Sequence, residues 1–310
     1  AAPSFETLLL ARALQGLSTS ATRVIATSIV RDCYAGRRMA SVMSLTMMIF
    51  IAVPVVAPAF GQAVLLVSHW RGIFIVLMLY GVVALIWSAL RLPETLPTKR
   101  RRSLAVGEVL DAFRQTVTNR QTLGYALVAG GVLGSLFAFV FISQQVFTGI
   151  YQLGHYFPLA FAGVAVGTAI AGFVNSRLVG RLGMRVISHA ALIGFVVIAA
   201  TMLVAAKLQM LPLPLFMALS VSMMFAFGLM IANFTALAME PQGHIAGTAA
   251  SLYGSITTLL AIGIGATIGQ DYDGTLVPFA TGFLLCTLAA LAVVLVVEKG
   301  RLFRPHGIKV

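Results

Sequence analysis

Arg12, Gln15, Thr19 and Arg23 stand at offsets of 0, 3, 7 and 11 in an otherwise apolar stretch near the start of the chain. That spacing places all four on one face of an α-helix. An arginine at a bilayer centre costs at least about 2.5–3.5 kcal/mol, so such a face should look onto protein or a water-filled cavity. A fixed guanidinium there could bias a titrating group or hold a polar part of a ligand. Arg12 also admits a simpler use, as a residue near the membrane surface that snorkels to water, because it lies only a few positions into the apolar stretch.

Further along, Gln144 and Gln145 follow Phe137, Phe139 and Phe141, and Asn233 is the one amide of a long apolar run. Amides set among aromatic rings suit a small-molecule pocket, although the same phenylalanines would serve equally as core or lipid-facing residues. Pro54, Pro58 and Gly61 predict a bent, closely packed helix, since proline removes a helix hydrogen bond and glycine lets backbones approach. Gly163 with Gly167, and Gly247, Ser251, Gly254, Gly263 and Gly265, read as further close packing. Helices packed this tightly can rock against one another, as alternating access requires.

Other chemistries find little support. The nine Asp and Glu all fall outside the middle of the apolar runs. The five histidines, His69, His155, His189, His244 and His306, scatter toward connections. There is no HExxH, no paired-carboxylate arrangement and no GxSxG. Cys33 and Cys286 form no CxxC pattern and read as small packing residues. Neither an enzyme, a metal site nor a bound cofactor is expected.

The elements that must carry these residues follow from composition. Of 310 residues, 59% are hydrophobic and 10% charged, with a mean hydropathy of +0.98. An ordinary soluble domain has about 45–50% and about 25%. A soluble globular protein, a disordered chain and a collagen-like repeat are therefore excluded. Nine apolar segments are long enough to span a bilayer: approximately 7–29, 40–66, 71–91, 122–147, 157–177, 186–206, 213–238, 246–269 and 276–297. They carry too few turn signals and too little alternation for a transmembrane barrel, which predicts an all-α polytopic membrane protein.

The net charge of +12 would suggest nucleic acid in a soluble chain. Here it reads as orientation instead. Of the 21 Lys and Arg, Arg12 and Arg23 lie within the first span, Arg71 and Lys207 fall on one side, and all the others fall on the opposite side. By the positive-inside rule the richer side is cytoplasmic. Trp70 and Trp87 bracket the third span as interfacial anchors. The stretch 92–121 holds Pro93, Pro97 and the basic run Lys99 to Arg102. Within it, Val106, Leu110, Phe113 and Val117 recur at helical spacing, which predicts an amphipathic linker helix on the cytoplasmic surface, drawn to anionic lipid. The resulting divisions are 1–91, the linker 92–121, a six-helix half 122–298 and a cytoplasmic tail 299–310. Because the chain enters an apolar segment within a few residues of Ala1, further N-terminal sequence is expected.

Several linked motifs carry a resemblance. The run Leu8 to Gly36, LLLARALQGLSTSATRVIATSIVRDCYAG, resembles the fourth transmembrane helix of major facilitator superfamily transporters, with the RxxQG element at Arg12, Gln15 and Gly16. Its continuation, with Arg31, Asp32 and Tyr34, is similar to the Bcr/CflA drug-resistance subfamily. APAFGQ, then HWRGIF (His69 to Phe74), RLPETL (Arg91 to Leu96) and NFTALAMEPQGHIAGTAASLYGSI (Asn233 to Ile256) resemble later elements of the same family. LVGRLGMR, Leu178 to Arg185, resembles a degenerate copy of the family signature, with Gly180 where an aspartate is usual. Ala57 and Gln62 also depart from the pattern, as do Gln144 and Gln145 where proline is common.

The resemblance implies a major facilitator fold with helices four to twelve of twelve present. It implies proton-coupled efflux of small amphipathic drugs, of bicyclomycin, chloramphenicol or sulfonamide type, across a bacterial inner membrane. Arg12 would tune a proton-carrying carboxylate outside this chain. Gln15, Thr19, Arg23, Phe137, Phe141, Gln144 and Asn233 would border the substrate cavity. Asp32, and by pseudo-symmetry Glu240 with Arg181 or Arg185, would form the cytoplasmic gate. The partners would be drug, protons and lipid, not nucleic acid, with the protein a monomer energised by the proton gradient. A metabolite exporter, a non-transporting receptor and a degraded gene product are the alternatives.

Overall fold

The computed structural model describes residues 4–33, 42, 53, 56–92 and 106–303. Among the described residues every regular element is a helix and none is a strand. In chain order these are α1 (Phe5–Cys33), α2 (Val56–Val67), α3 (Trp70–Arg91), α4 (Val106–Thr118), α5 (Arg120–Gln144), α6 (Phe157–Leu182), α7 (Met184–Lys207), α8 (Leu213–Met239), α9 (Ala246–Gln270) and α10 (Val277–Val297). Seven segments among them, α3 and α5 to α10, are long and apolar enough to cross a membrane. The all-α, polytopic character expected from hydropathy is thus present. At 29 residues α1 is also long enough, but its polar side chains make it less apolar than the others. Most of the expected span 40–66 lies outside the described residues, Pro54 included; Pro58 and Gly61 fall in α2.

Contacts divide the chain into two compact units, Ala1–Ser103 and Leu104–Val310. The division falls inside the expected linker. The amphipathic helix appears as α4, which packs against α5 and α9 of the second unit. Its Thr116 is buried, while Leu110 and Phe113 remain exposed.

Within the second unit the helix starts follow local chemistry. Asn119 caps α5 by accepting the Thr122 N–H at 3.0 Å. Pro158, Pro214 and Pro278 occupy the first turns of α6, α8 and α10, where the missing N–H has no helical partner to lose. Gly183, at φ +82°, breaks the chain between α6 and α7. The last turn of α5 continues as a π-helical turn, Gln145–Ile150.

Hydrocarbon tails are as apolar as leucine, so burial alone does not hold these helices together; close packing must do so. Gly167 shows how. A Cβ there would sit 2.2 Å from the Val221 carbonyl oxygen and 2.9 Å from the Phe225 nitrogen, so α6 and α8 meet backbone to backbone. Gly265 similarly lets α9 close on Phe137 and Ala138 of α5. Gly254 and Gly263 have nothing within 4 Å of a Cβ, so they do not join this packing. An aromatic cluster fills the interior: Phe139 packs on Phe161 at 5.7 Å and on Phe147 and Phe279 at 6.4 Å.

Candidate functional site

In the first unit, the periodicity of α1 brings Arg12, Gln15 and Thr19 onto one exposed face. Arg12 Nη1 donates to Gln15 Oε1 at 2.7 Å, and Thr19 Oγ1 donates back to the Gln15 carbonyl at 2.9 Å. The Arg12 guanidinium also lies 5.8 Å from the centre of the Phe74 ring on α3. Arg23 and Asp32 sit further along α1, but their side chains lie outside the described residues. A Cβ at Gly61 would meet nothing within 4 Å.

In the second unit, the residues expected around a pocket separate. Asn233 is 2% exposed, and its amide donates to Asn175 Oδ1 at 2.6 Å, joining α8 to α6. Gln144 is exposed at the far end of α5, next to the π-helical turn. Gln121 of α5 meets Glu240 at the end of α8. Counting the helical rise from that contact puts about 24 Å between the levels of Gln144 and Asn233. One pocket does not take both. Phe137 is half-buried and packs edge-on against exposed Phe141 at 5.7 Å.

The densest polar cluster stands where α5, α7, α8 and α10 end together. Arg185 Nε donates to Glu298 Oε1 at 2.9 Å, and its Nη2 donates to Glu240 Oε2 at 3.2 Å. Gln121 Nε2 donates to the same Glu240 oxygen and to the Leu237 carbonyl, both at 2.8 Å. Tyr125 donates to Glu298 Oε1 at 2.6 Å and also lies 3.2 Å from His189 Nε2. The Phe303 N–H donates to His189 Nδ1 at 3.3 Å. Nδ1 therefore accepts, which leaves the His189 proton on Nε2, pointing at the Tyr125 oxygen. Donors thus run in one direction, from His189 through Tyr125 to Glu298.

Burial pushes the Glu298 carboxyl up, but the bonds from Tyr125 and Arg185 outweigh it and hold the group below its ordinary value of 4.5. Arg181, at the end of α6, is exposed and forms no ion pair among the described residues. The cluster holds no nucleophile beside a base. What it can do is lock four helix ends together through buried charge.

The sequence placed Arg185 and Glu240 in a candidate site but not Glu298, Tyr125 or His189. One signal was available: all three lie within a few residues of span ends that the basic residues assign to the same side of the membrane. Among the described residues no three His, Cys, Asp or Glu converge on a point that could hold a metal.

The Major Facilitator Superfamily model matches residues 1–266. An uncharacterized MFS-type transporter of Bacillus subtilis, YdgK, is 34% identical over 297 residues, covering 94% of this chain and 73% of that protein. A bicyclomycin resistance protein homolog of Haemophilus influenzae is 28% identical, over 91% of this chain and 70% of its own length. The multidrug resistance protein MdtL of Escherichia coli is 39% identical over a shorter stretch of 92 residues, 29% of this chain and 24% of MdtL.

Proposed function

The chain belongs to the Major Facilitator Superfamily, and from that premise we propose that it exports small amphipathic drugs across a bacterial inner membrane, driven by protons. It is a multi-pass membrane transporter rather than an enzyme. On this reading it is of Bcr/CflA type, its spans being helices four to twelve of twelve. The linker and C-terminus lie in the cytoplasm, and the protein works as a monomer with no bound cofactor. The names of the Haemophilus influenzae and Escherichia coli relatives favour drug export over export of a metabolite.

The observation that carries the reading is the Arg12–Gln15 pair at 2.7 Å, a permanent positive charge held in place on the polar face of α1. Arginine does not release its proton in proteins, so Arg12 is not the carrier. It lowers the pKa of a carrier carboxylate, and without it that acid would hold its proton too tightly to cycle. In the first unit Gln15, Thr19 and Arg23 on α1 are drug contacts on this reading; in the second unit Phe137, Phe141, Gln144 and Asn233 are, at different depths. Asp32 is a cytoplasmic gate residue of the first unit, and Arg185 and Glu240 are those of the second, with Arg181 free to join them in another state.

Everted membrane vesicles containing the complete protein, with the carrier carboxylate that lies outside this chain, test the reading. Labelled drug should accumulate only when a proton gradient is imposed. Arg12→Ala should abolish that accumulation, while Arg12→Lys, which keeps charge but not the planar donor fork, should retain part of it. Full gradient-driven transport by Arg12→Ala at normal expression would reject the role of Arg12. Equal uptake with and without a gradient would reject proton coupling.

A further inference from the structure

A pair of rings at the start of α3 is flanked by two cations, one on α3 itself and one on α1. Arg71 lies over Trp70, 4.4 Å from the ring centre. Trp70 meets Phe74 at 6.0 Å with the ring planes at 84°, and Phe74 in turn presents its ring to Arg12 at 5.8 Å. Trp70 and Phe74 are one helical turn apart, so the first fixes the orientation of the second. Arg12 is the eighth residue of α1 and Phe74 the fifth of α3, roughly 10 Å and 6 Å along their helices. The guanidinium is therefore held from two directions, by the Gln15 amide oxygen on its own helix and by an aromatic face on another.

We propose that Phe74 is a positioning residue for proton coupling: its ring fixes the Arg12 guanidinium at the depth and angle from which that charge acts on the proton carrier. The inference rests on the reading of Arg12 given above. A cation over a ring face is attracted by the ring quadrupole, most strongly where water is scarce. A long arginine without that partner sweeps through several rotamers and carries its charge toward the membrane surface. Glu6 on α1, with His69 and Arg71 at the start of α3, are the other charged or titratable groups described at these helix ends. Among the described residues Glu6 forms no ion pair with Arg12, and Arg71 carries the same charge as Arg12. Removing the ring should therefore act on the carrier through the average position of Arg12 alone. A weaker positive field raises the carboxyl pKa, so coupling should shift to higher pH.

The test measures gradient-driven drug transport by the complete protein in everted vesicles as a function of pH, for wild type, Arg12→Ala, Phe74→Tyr, Phe74→Leu and a protein with trifluorophenylalanine at position 74. Fluorination keeps the size of the ring and withdraws electron density from its face, so this last protein folds as wild type does while losing the attraction. The expected result is an upward shift of the pH midpoint by about half a unit, about threefold in proton affinity, for Phe74→Leu and the fluorinated protein. Phe74→Tyr should keep the wild-type midpoint. A shift in Phe74→Leu but none in the fluorinated protein would mean that the ring only fills space, and would overturn the proposal. So would wild-type midpoints in both while Arg12→Ala is inactive, an outcome that leaves the role of Arg12 standing. Wild type without gradient-driven transport overturns the functional reading and this proposal with it.

Discussion

Arg185 bonds two carboxylates of very different standing: Glu298 at 2.9 Å, with only 3% of its side chain exposed, and Glu240 at 3.2 Å, with 46% exposed. The Arg185 side chain itself is 7% exposed. Removing one partner from a buried pair leaves an uncompensated charge, which costs about 3–5 kcal/mol. An exposed pair contributes about 0–1 kcal/mol. Glu298→Gln should accordingly destabilise the protein in detergent several times more than Glu240→Gln, read from thermal unfolding of the purified variants. Equal losses would mean that burial does not separate the two contacts.

Acid should act through the same carboxylate. Glu298 is held below its ordinary 4.5, so its contribution is fully present above that value and is lost as pH falls through the lower, folded one. Unfolding temperature should drop on acidification below about pH 4.5. In Glu298→Gln that part of the drop should be missing, because the amide does not titrate. Parallel pH profiles for the two proteins would place the acid-sensitive group elsewhere.

The glycines should divide by what faces them. Gly167→Ala drives a methyl into the Val221 carbonyl and the Phe225 nitrogen, which cannot yield without moving α8 from α6. A loss of about 1–3 kcal/mol is expected. Gly163→Ala meets only the tip of Met217 at 3.3 Å, a flexible end that can move aside, and should cost much less. Gly263→Ala meets nothing and should be neutral or stabilising by up to about 1 kcal/mol. A stability order with Gly263→Ala lowest would contradict the helix contacts described above.

Orientation is open to labelling. Reporter fusions after Arg102 and after Arg304 should report the cytoplasm, and a tag at Gly154, in the connection between the π-helical turn and α6, should react with an impermeant reagent from outside. A cytoplasmic signal from Gly154 would reverse the assignment of α5 and α6.

What the sequence determined by itself is local or one-dimensional. Hydropathy marked the long helices because a span has to be apolar over its whole length, whatever its neighbours are. The 3.6-residue period placed Arg12, Gln15 and Thr19 together because a helix face depends only on spacing. It did not say that Phe74, across a connection on α3, would stand over Arg12. Charge positions left both Arg181 and Arg185 open as partners for Glu240. The break at Gly183 separates the two: Arg181 ends α6 in the open, and Arg185 sits in the first turn of α7, buried. Glu298, Tyr125 and His189 each looked like an ordinary residue near a span end, and Asn175 gave no sign of bonding Asn233. Only the tertiary structure decided these pairings, because they join residues 55 to 173 positions apart, and a helix's own period says which face is polar but not which helix will meet it.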